Sequence, residues 1–565
     1  MQHREENYLV PLKRFGGLLN AERKNIYPIF FYAILNGLIL LALPLGIQAI
    51  LNFVLGGRLS TSWVLLVILV TGALAFSGFL QVSQLYLVEK LQQRVFAKSA
   101  FEFAYRIPRM KLSKLVGKYP PELINRFFDT INIQKGLSKL LVDMTTALLQ
   151  IFFGLVLLSI YHPFFVVLSI ILIFFVYLLF RFTSPKGMQT SLRESTSKYE
   201  VAFWLEEMAR TLGTFKLAGK TDLPESKVDK LIDNYVVNRQ AHFKVLIRQY
   251  IIMIGFKVLI VGSLLVTGSI LLINNEISVG QFVAAEVIII LVLGSIEKLI
   301  LTLETVYDTL TATEKVGKVM DIELEEFGKI NPVSEHTHTF SIEFKNVTFK
   351  YPKTGRAVLN KISFTIPAGQ KVVITGSVSS GKSTLLHLIG GLYDNYEGEI
   401  YINGIHLHLI DIKQLRTYIG DSMSQQNIFR GTIRENITLG RPDESGTALQ
   451  KSVEVAGLRE YVKQLRNEYD EMLLPQGMMI PNDIVRKIIL ARSFYHKPGL
   501  MLLEAPVAQI TEQEKRLMLD HIFAQDYTML AVSGDKDLLS RADRILELDN
   551  GNIVFDGDFQ TFQSR

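Results

Sequence analysis

The 565-residue sequence has no cysteine. The absence of cysteine excludes disulfide bonds, thiolate metal sites and cysteine nucleophiles. A strong net charge is also lacking, because 60 basic and 54 acidic side chains leave a formal charge of only +6 at pH 7. We interpret this small excess as the basic bias of a membrane protein's cytoplasmic loops rather than as a nucleic-acid-binding surface. Residues Met1–Lys24 show no signal-peptide pattern.

Apolar residues dominate the first 310 positions, where the sequence predicts six membrane-spanning helices. The mean hydropathy is +0.26 and 49% of the residues are hydrophobic, which argues against a soluble protein. A helix needs about 20 apolar residues to cross the bilayer. The predicted spans are residues 26–51, 63–87, 140–161, 163–182, 246–273 and 279–303.

The loops between these spans predict an orientation. The short loops 52–62, 162 and 274–278 contain a single basic residue, Arg58. The other connections are long and basic, as in the stretch from Lys90 to Lys118. This asymmetry predicts that both termini and the long loops are cytoplasmic. We expect an integral, multi-pass protein of the bacterial inner (plasma) membrane.

Two ionisable residues fall inside predicted spans. Lys257 lies 16 residues from the outer end of the fifth span, and Glu297 lies 18 residues from the outer end of the sixth. At about 1.5 Å per residue the two have a similar depth, so they are a candidate polar pair. The alternative is that each faces a wet cavity near the cytoplasmic side.

The segment Gly376-Ser-Val-Ser-Ser-Gly-Lys-Ser383 matches the phosphate-binding loop pattern G-x-x-x-x-G-K-[ST]. It follows an apolar strand-like run and precedes a helix-like run, which is the context that the pattern requires. Backbone N–H groups of such a loop bind phosphate, the lysine reaches the β- and γ-phosphates, and the last hydroxyl binds Mg²⁺. The sequence therefore predicts an ATP–Mg²⁺ site. Its predicted residues in this segment are Gly376, Ser377, Ser379, Ser380, Gly381, Lys382, Ser383 and Thr384.

The last third of the chain alternates short strands with helices around this loop. That alternation predicts an α/β P-loop nucleotide-binding domain with a parallel sheet, following an all-α, six-helix membrane domain. Tyr351, about 25 residues before the loop, is a candidate for stacking on a base. The predicted domains are an N-terminal amphipathic segment, a membrane domain with cytoplasmic helical extensions, a linker and the nucleotide-binding domain, at residues 1–25, 26–316, 317–339 and 340–565.

Several segments outside the loop resemble those of ABC exporters. The resemblance covers the whole chain, which is similar to a half-transporter with a six-helix membrane domain fused to a nucleotide-binding domain. It implies that two halves enclose two ATP molecules, each between the loop of one half and the signature motif of the other. The segments that carry it are 277–282, 349–352, 425–436, 487–493 and 542–551.

The signature motif departs from the pattern of this family. The resemblance implies Leu-Ser-Gly-Gly-Gln, and the corresponding residues are Ile480, Pro481, Asn482, Asp483 and Ile484. Proline removes an N–H group, and side chains occupy the two glycine positions. The acidic side chain also adds a charge of the same sign as phosphate. We therefore predict that this half does not bind the partner's ATP normally.

The hydrolytic positions implied by the resemblance also differ. Glu504 occupies the metal-binding position, and Ala505 stands where the family has its catalytic base. Gly534 stands where the family has a histidine. Gln425 matches the glutamine that contacts metal and water, although one residue is missing before Phe429. The predicted metal ligands are Ser383, Gln425 and Glu504, and no catalytic set is intact.

The sequence therefore predicts a dimeric ABC exporter subunit with weak or absent hydrolysis, which transports peptide, protein or lipid. The expected partners are a second half-transporter, identical or different, membrane lipid and a periplasmic adaptor protein, with no role for nucleic acid. One alternative is a non-transporting, ATP-binding membrane scaffold or sensor on the same frame. Another is an active ATPase with unusual residues.

Overall fold

A computed structural model of the protein describes residues 9–56, 61–326, 328–333, 339–423, 427–443, 445–496, 498–508 and 510–565. The chain divides into two compact units. The first ends at Pro108, resumes at Tyr119 and closes at Ile322. The second combines Arg109–Lys118 with Glu323–Arg565.

The first unit is helical throughout its regular structure. Its helices are α1 (Leu9–Ala21), α2 (Arg23–Leu40), α3 (Ala42–Leu55), α4 (Thr61–Arg106), α6 (Pro120–Asn125), α7 (Asp129–Ser138), α8 (Thr145–Tyr161), α9 (Pro163–Arg210), α10 (Leu212–Leu217), α11 (Leu223–Ile273) and α12 (Val279–Met320). A short helix α5 (Leu112–Leu115) belongs to the second unit. A π-helical segment, Lys139–Met144, joins α7 to α8.

The six predicted spans are confirmed within the described residues, where six helical stretches are long and apolar enough to cross a membrane. The first stretch is interrupted at Leu41, between α2 and α3, where the sequence predicted one continuous span. The helices α4, α9 and α11 have 46, 48 and 51 residues, so each exceeds the length of a single span. In the most apolar window of α12 half of the residues are buried, which makes α12 the central helix of the unit.

Two helix starts show how the sequence separates adjacent spans. His162 has an extended backbone, and its Nδ1 accepts a hydrogen bond from the Phe164 N–H at 3.2 Å, while Pro163 begins α9. Proline suits a first helical position because the N–H it lacks would have no partner there. At the start of α12, Ser278 and Gln281 form a reciprocal capping box with distances of 3.2 and 2.8 Å.

The second unit contains strands and helices in alternation. Its strands are β1 (Ile342–Phe349), β2 (Leu359–Ile366), β3 (Lys371–Gly376), β4 (Tyr396–Ile402), β5 (Ile405–His406), β6 (Ile419–Ser422), β7 (Gly431–Thr432), β8 (Met472–Leu473), β9 (Leu500–Glu504), β10 (Thr528–Val532), β11 (Arg544–Asp549) and β12 (Asn552–Gly557). Its further helices are α13 (Lys382–Ile389), α14 (Ile412–Thr417), α15 (Ile433–Thr438), α16 (Ala448–Val455), α17 (Arg459–Gln464), α18 (Asn482–Tyr495), α19 (Glu512–Ala524), α20 (Lys536–Arg541) and α21 (Phe559–Gln563).

These strands form a mainly parallel six-stranded sheet, ordered β12-β11-β3-β10-β9-β6, in which only β12 is antiparallel. The predicted α/β fold is confirmed. A separate antiparallel sheet, ordered β2-β1-β4-β5, contains strands that the sequence assigned to one parallel sheet. The carboxyl ends of β3, β10, β9 and β6 lie along one edge, the usual position of ligand sites in such sheets.

The segment Arg109–Lys118 adds to this unit by pairing with the residues that follow Ile322. Met110 forms an antiparallel bridge with Leu324. The Lys111 ammonium lies 3.0 Å from the carboxylate of Asp394. The loop before α6 is therefore fixed to the second unit by backbone pairing and by charge.

Candidate nucleotide-binding site

Two glycines fix the shape of the loop between β3 and α13. Gly376 has φ +129° and Gly381 has φ +101°, which are conformations that residues with a Cβ rarely adopt. A Cβ on Gly381 would lie 2.7 Å from Leu359 Cδ2 and 2.9 Å from the Val358 carbonyl oxygen, and one on Gly376 would collide with the Leu548 carbonyl. The backbone can therefore wrap closely around the start of α13, as an anion site at a helix N-terminus requires.

The ammonium group of Lys382 lies over this loop. Its Nζ donates to the carbonyl oxygens of Gly376 at 3.1 Å and Ser377 at 2.6 Å, and it lies 3.3 Å from Ser380 Oγ. Burial lowers the pKa of Lys382, and the negative charge of Glu504 opposes that shift. The ammonium group thus lies against the loop and interacts electrostatically with Glu504.

Tyr351 lines the same cavity as the loop. The cavity has a volume of about 300 Å³ and also contacts Ser379, Ser383 and Thr384. The Tyr351 hydroxyl lies 2.9 Å from Thr384 Oγ1, and its ring packs edge-on against Phe349 with centroids 4.9 Å apart. The structure therefore brings the candidate base-stacking ring to the residues of the candidate phosphate site.

Asp549, which the sequence analysis did not identify, lies at the entrance of the loop. Ser377 Oγ donates to its carboxylate at 2.6 Å, and this hydrogen bond lowers the pKa of the Asp549 carboxyl group. The Gly551 N–H donates to the Ser380 carbonyl at 3.2 Å. The turn between β11 and β12 therefore holds both ends of the loop. The only sequence signal is the Asp-Asn-Gly turn at residues 549–551.

Glu504 is the last residue of β9, and Ala505 follows it directly. Glu504 pairs with Val532 in the parallel register of β9 and β10, and the Ala505 N–H donates to the Val532 carbonyl at 2.8 Å. Ala505 has φ +45°, an uncommon conformation for a residue with a Cβ. This position, which the resemblance assigns to a base, carries only a methyl group.

His387 is a second residue that the sequence analysis did not identify. It lies one turn after Ser383 on α13. Burial lowers the pKa of His387, and the negative charge of Glu504 opposes the shift. Its Nδ1 is buried and has no hydrogen-bond partner among the described residues. A helical pattern places a histidine here, but only the fold shows that it lies close enough to Glu504 for their charges to interact.

The segment aligned with the signature motif forms the start of α18. The carbonyl of Pro481 accepts from the N–H groups of Ile484 and Val485 at 3.1 and 3.2 Å, and no side chain in the described part of the chain caps the helix. Asn482 is exposed, and Asp483 is half-buried in the first turn. Ile480 is partly buried against the core. An acidic side chain thus occupies the first turn of the helix, where the positive end of the helix dipole favours anions.

A second cavity, of about 380 Å³, lies between α18 and the ends of β6 and β9. It is lined in part by Asn482, Arg486, Glu504 and Ala505. The candidate residues therefore divide into two groups. Tyr351 and the loop residues line one cavity, whereas Asn482, Glu504 and Ala505 line the other.

Gly534 is exposed after β10, and a Cβ added to it would meet nothing within 4 Å. Gln425 lies outside the described residues. Just after it, the carbonyl of Asn427 accepts from Arg492 Nη2 at 3.4 Å. Burial lowers the pKa of Arg492, and the negative charge of Asp421 opposes the shift.

In the helical unit Lys257 and Glu297 lie side by side. Lys257 Nζ is 2.9 Å from Glu297 Oε2, and the Tyr250 hydroxyl donates to the same carboxylate at 3.2 Å. At the same level of α12, Lys298 pairs with Asp143 at 2.9 Å. Asp143 belongs to the π-helical segment, a type of local distortion that is frequent at functional sites.

A polytopic helical unit joined to a P-loop domain of this topology defines an ATP-binding membrane protein. Comparison with known families supports a narrower assignment. The ABC transporter transmembrane region matches residues 26–296, and the ABC transporter domain matches residues 359–508. The chain thus joins the membrane region and the nucleotide-binding domain of ABC transporters, and it is an exporter-type half-transporter.

Individual relatives are distant. The transport/processing ATP-binding protein ComA of Streptococcus pneumoniae is 25% identical over 489 residues, which cover 85% of this chain and 67% of ComA. The alpha-hemolysin translocation ATP-binding protein HlyB of Escherichia coli O157:H7 is 27% identical over 300 residues, 53% of this chain and 42% of HlyB. A bacterial Atm1-family ABC exporter with ATP bound has a TM-score of 0.85 and 19% identity, and the match covers 96% of each chain. That last likeness concerns the fold alone.

Proposed function

We propose that this chain binds ATP and Mg²⁺ as one half of a dimeric exporter and hydrolyses ATP weakly or not at all with its own residues. The loop N–H groups and Lys382 would hold the phosphates, and Tyr351 would stack on the base. Ser383, Glu504 and Gln425 would hold Mg²⁺. The two glycines without room for a Cβ and the position of Tyr351 in the loop cavity support binding.

The observation that carries the proposed loss of hydrolysis is the methyl group of Ala505 beside Glu504. Removing a positioned general base typically costs about 10²–10⁴ in rate. Glu504 is a single carboxylate, and in this proposal it is engaged by Mg²⁺. It would therefore be unavailable to activate the attacking water.

The start of α18, which would contact the ATP bound by the partner, also supports the proposed loss of hydrolysis. Pro481 offers no N–H group, and Asp483 would place a negative charge near the partner's γ-phosphate. At about 4 Å and an effective dielectric constant of about 20, such a repulsion is about 4 kcal/mol per pair of unit charges. Closure of the dimer around ATP is thereby disfavoured.

ABC exporters typically function as dimers, and we propose a second half-transporter, identical or different, as the partner. The names of ComA and HlyB refer to transport or translocation. We propose peptide, protein or lipid as the substrate class, with membrane lipid and a periplasmic adaptor as further partners. The proposed location is the bacterial inner membrane, with both termini in the cytoplasm.

The proposal is tested by measuring ATP binding and ATP turnover on the same purified protein. We expect Mg²⁺-dependent ATP binding that Lys382→Ala weakens at least about 100-fold, because a charge-assisted contact to phosphate is lost. We expect turnover near background for both proteins. Turnover of about 1 s⁻¹ or more that Lys382→Ala abolishes would contradict the proposal.

The alternative of a non-transporting, ATP-binding scaffold shares the same loop. Co-purification from native membranes, followed by reconstitution with the recovered partner, separates the two. ATP-dependent movement of a substrate supports the half-transporter. ATP-dependent assembly without movement supports the scaffold.

A further inference from the structure

The corner between α1 and α2 encloses an open cavity of about 480 Å³. Its walls are formed by residues 20–25 and by Arg94 from α4. The walls carry three basic side chains, Arg23, Lys24 and Arg94, and a single acidic one, Glu22. The cavity is therefore a site of net positive charge.

The carboxylate of Glu22 holds nearby basic side chains in position. Glu22 is buried, and its carboxylate accepts from Asn25 Nδ2 at 2.8 Å. The same carboxylate lies 3.4 Å from Arg94 Nε and 3.5 Å from Lys98 Nζ. Because Arg94 uses Nε for this contact and its side chain is 65% exposed, its terminal guanidinium nitrogens remain available to a second anion.

Arg23 and Lys24 have no such internal partner. Both side chains are exposed, and neither forms an ion pair or a hydrogen bond with any part of the chain that the structure describes. They adjoin Arg94 across the cavity. Three cations thus surround one space, and the one carboxylate present is buried beneath them.

The cavity lies where the lipid-exposed surfaces of two helices end. On α2 the exposed apolar side chains begin with Tyr27 and continue through Phe31. On α4 closely spaced exposed apolar side chains continue to Tyr86, and the next one is Phe96. Lys90 Nζ lies 4.6 Å from the centroid of the Tyr86 ring. Tyrosines at both limits are typical of the membrane–water interface. The cations therefore lie at the depth of lipid phosphates.

We propose that this cavity binds the headgroup of an anionic phospholipid. Arg94 and the two free cations contact the phosphate, and the acyl chains lie along the exposed apolar surfaces of α2 and α4. The buried carboxylate of Glu22 keeps Arg94 in place. Cations at a membrane surface attract anionic lipid. Because the three cations here surround one cavity, they form a defined binding site rather than a general basic surface.

The test uses full-length protein in nanodiscs of equal amounts of phosphatidylcholine and phosphatidylglycerol, with retained lipids counted by native mass spectrometry. We expect selective retention of phosphatidylglycerol. Arg23→Gln with Lys24→Gln leaves the Glu22–Arg94 contact intact and should reduce that retention about 25-fold, about fivefold for each cation. Arg94→Gln alone should reduce it about fivefold.

The matched control is Lys244→Gln with Arg248→Gln, near the start of the apolar segment of α11. It removes two exposed cations that form no ion pair or hydrogen bond with the described residues. This control should keep the wild-type retention. Equal losses in both double variants, or no loss in either, would overturn the proposal. Displacement of the retained lipid by inorganic phosphate would also overturn it, because the site would then recognise free phosphate.

Discussion

The two faces of the candidate site differ in how strongly the fold constrains them. On the loop face, between β3 and α13, a side chain at Gly376 or Gly381 would collide with the backbone of a neighbouring strand or loop. On the other face, Gly534 has open space around it and Ala505 carries only a methyl group. The loop face is fixed by packing, whereas the other face could change without disturbing the core.

Under the proposed function, this difference means that hydrolysis can be lost while ATP binding is kept. The loop begins at the end of β3, which lies between β11 and β10 in the centre of the parallel sheet. The start of α18 lies at the surface, with Met479 beside it 93% exposed. A substitution at the surface costs little stability, so the groups needed for turnover can disappear while the nucleotide pocket remains intact.

The largest expected effect comes from restoring the family's residues on the face formed by Ala505, Gly534 and the start of α18. We expect the combined changes Ala505→Glu, Gly534→His, Pro481→Ser, Asn482→Gly and Asp483→Gly to raise ATP turnover at least about 100-fold over the unmodified chain, because a positioned base alone contributes about 10²–10⁴. Gly534 accepts a side chain without contact, and Ala505 is exposed. Phosphate release from purified protein measures the effect.

The control for this experiment adds Lys382→Ala to the rebuilt protein, which should return turnover to background. A second control carries only the three changes at the start of α18 and should stay near background, because it lacks the base. Turnover that remains unchanged in the fully rebuilt protein, while ATP still binds, would show that the two faces differ for another reason.

The contrast between the faces also explains what the sequence could predict. The loop pattern predicts phosphate and metal roles for Lys382 and Ser383 from a local run of residues alone. Asp549 is 172 residues from Ser377 and reaches it only because β11 pairs with β3, with Leu548 opposite Gly376. A single sequence contains no local signal for such a contact.

Local sequence patterns also gave wrong predictions where contacts between distant segments determine the structure. The first span reads as one apolar run, but it divides at Leu41 into α2 and α3. The strands β1, β2 and β4 have ordinary strand patterns, and their sequences do not show that they pair antiparallel in a sheet of their own. The side of α13 on which His387 lies depends on where β9 ends, and this in turn depends on the sheet order.

A smaller effect is expected on the loop face itself. Tyr351→Ala should weaken ATP binding about tenfold, because stacking of a base on an aromatic ring contributes about 1–3 kcal/mol. Tyr351→Phe removes only the hydroxyl that contacts Thr384 and should change the affinity by less than about threefold. Calorimetric titration of both variants with ATP and with inorganic triphosphate separates stacking from phosphate binding. An equal loss for both ligands would show that the ring supports the loop rather than the base.

The smallest expected effect concerns His387, which lies between the two faces. Burial lowers the pKa of this histidine below its usual value of 6.5, and Glu504 only partly offsets the shift. The unfolded chain therefore binds a proton more readily than the folded chain, so this residue destabilises the domain as the pH falls below about 6.5. The thermal midpoint of His387→Gln should fall less between pH 7 and pH 5 than that of the unmodified protein.

His521, whose pKa is also lowered by burial, gives a control. His521→Gln should flatten the same pH profile without changing ATP affinity. His387→Gln should alter both the pH profile and the ATP affinity, because the charge of His387 interacts with that of Glu504. If the His387 variant changes neither the pH profile nor the ATP affinity, His387 does not influence the candidate site. The loop face then ends closer to Ser383 than we infer.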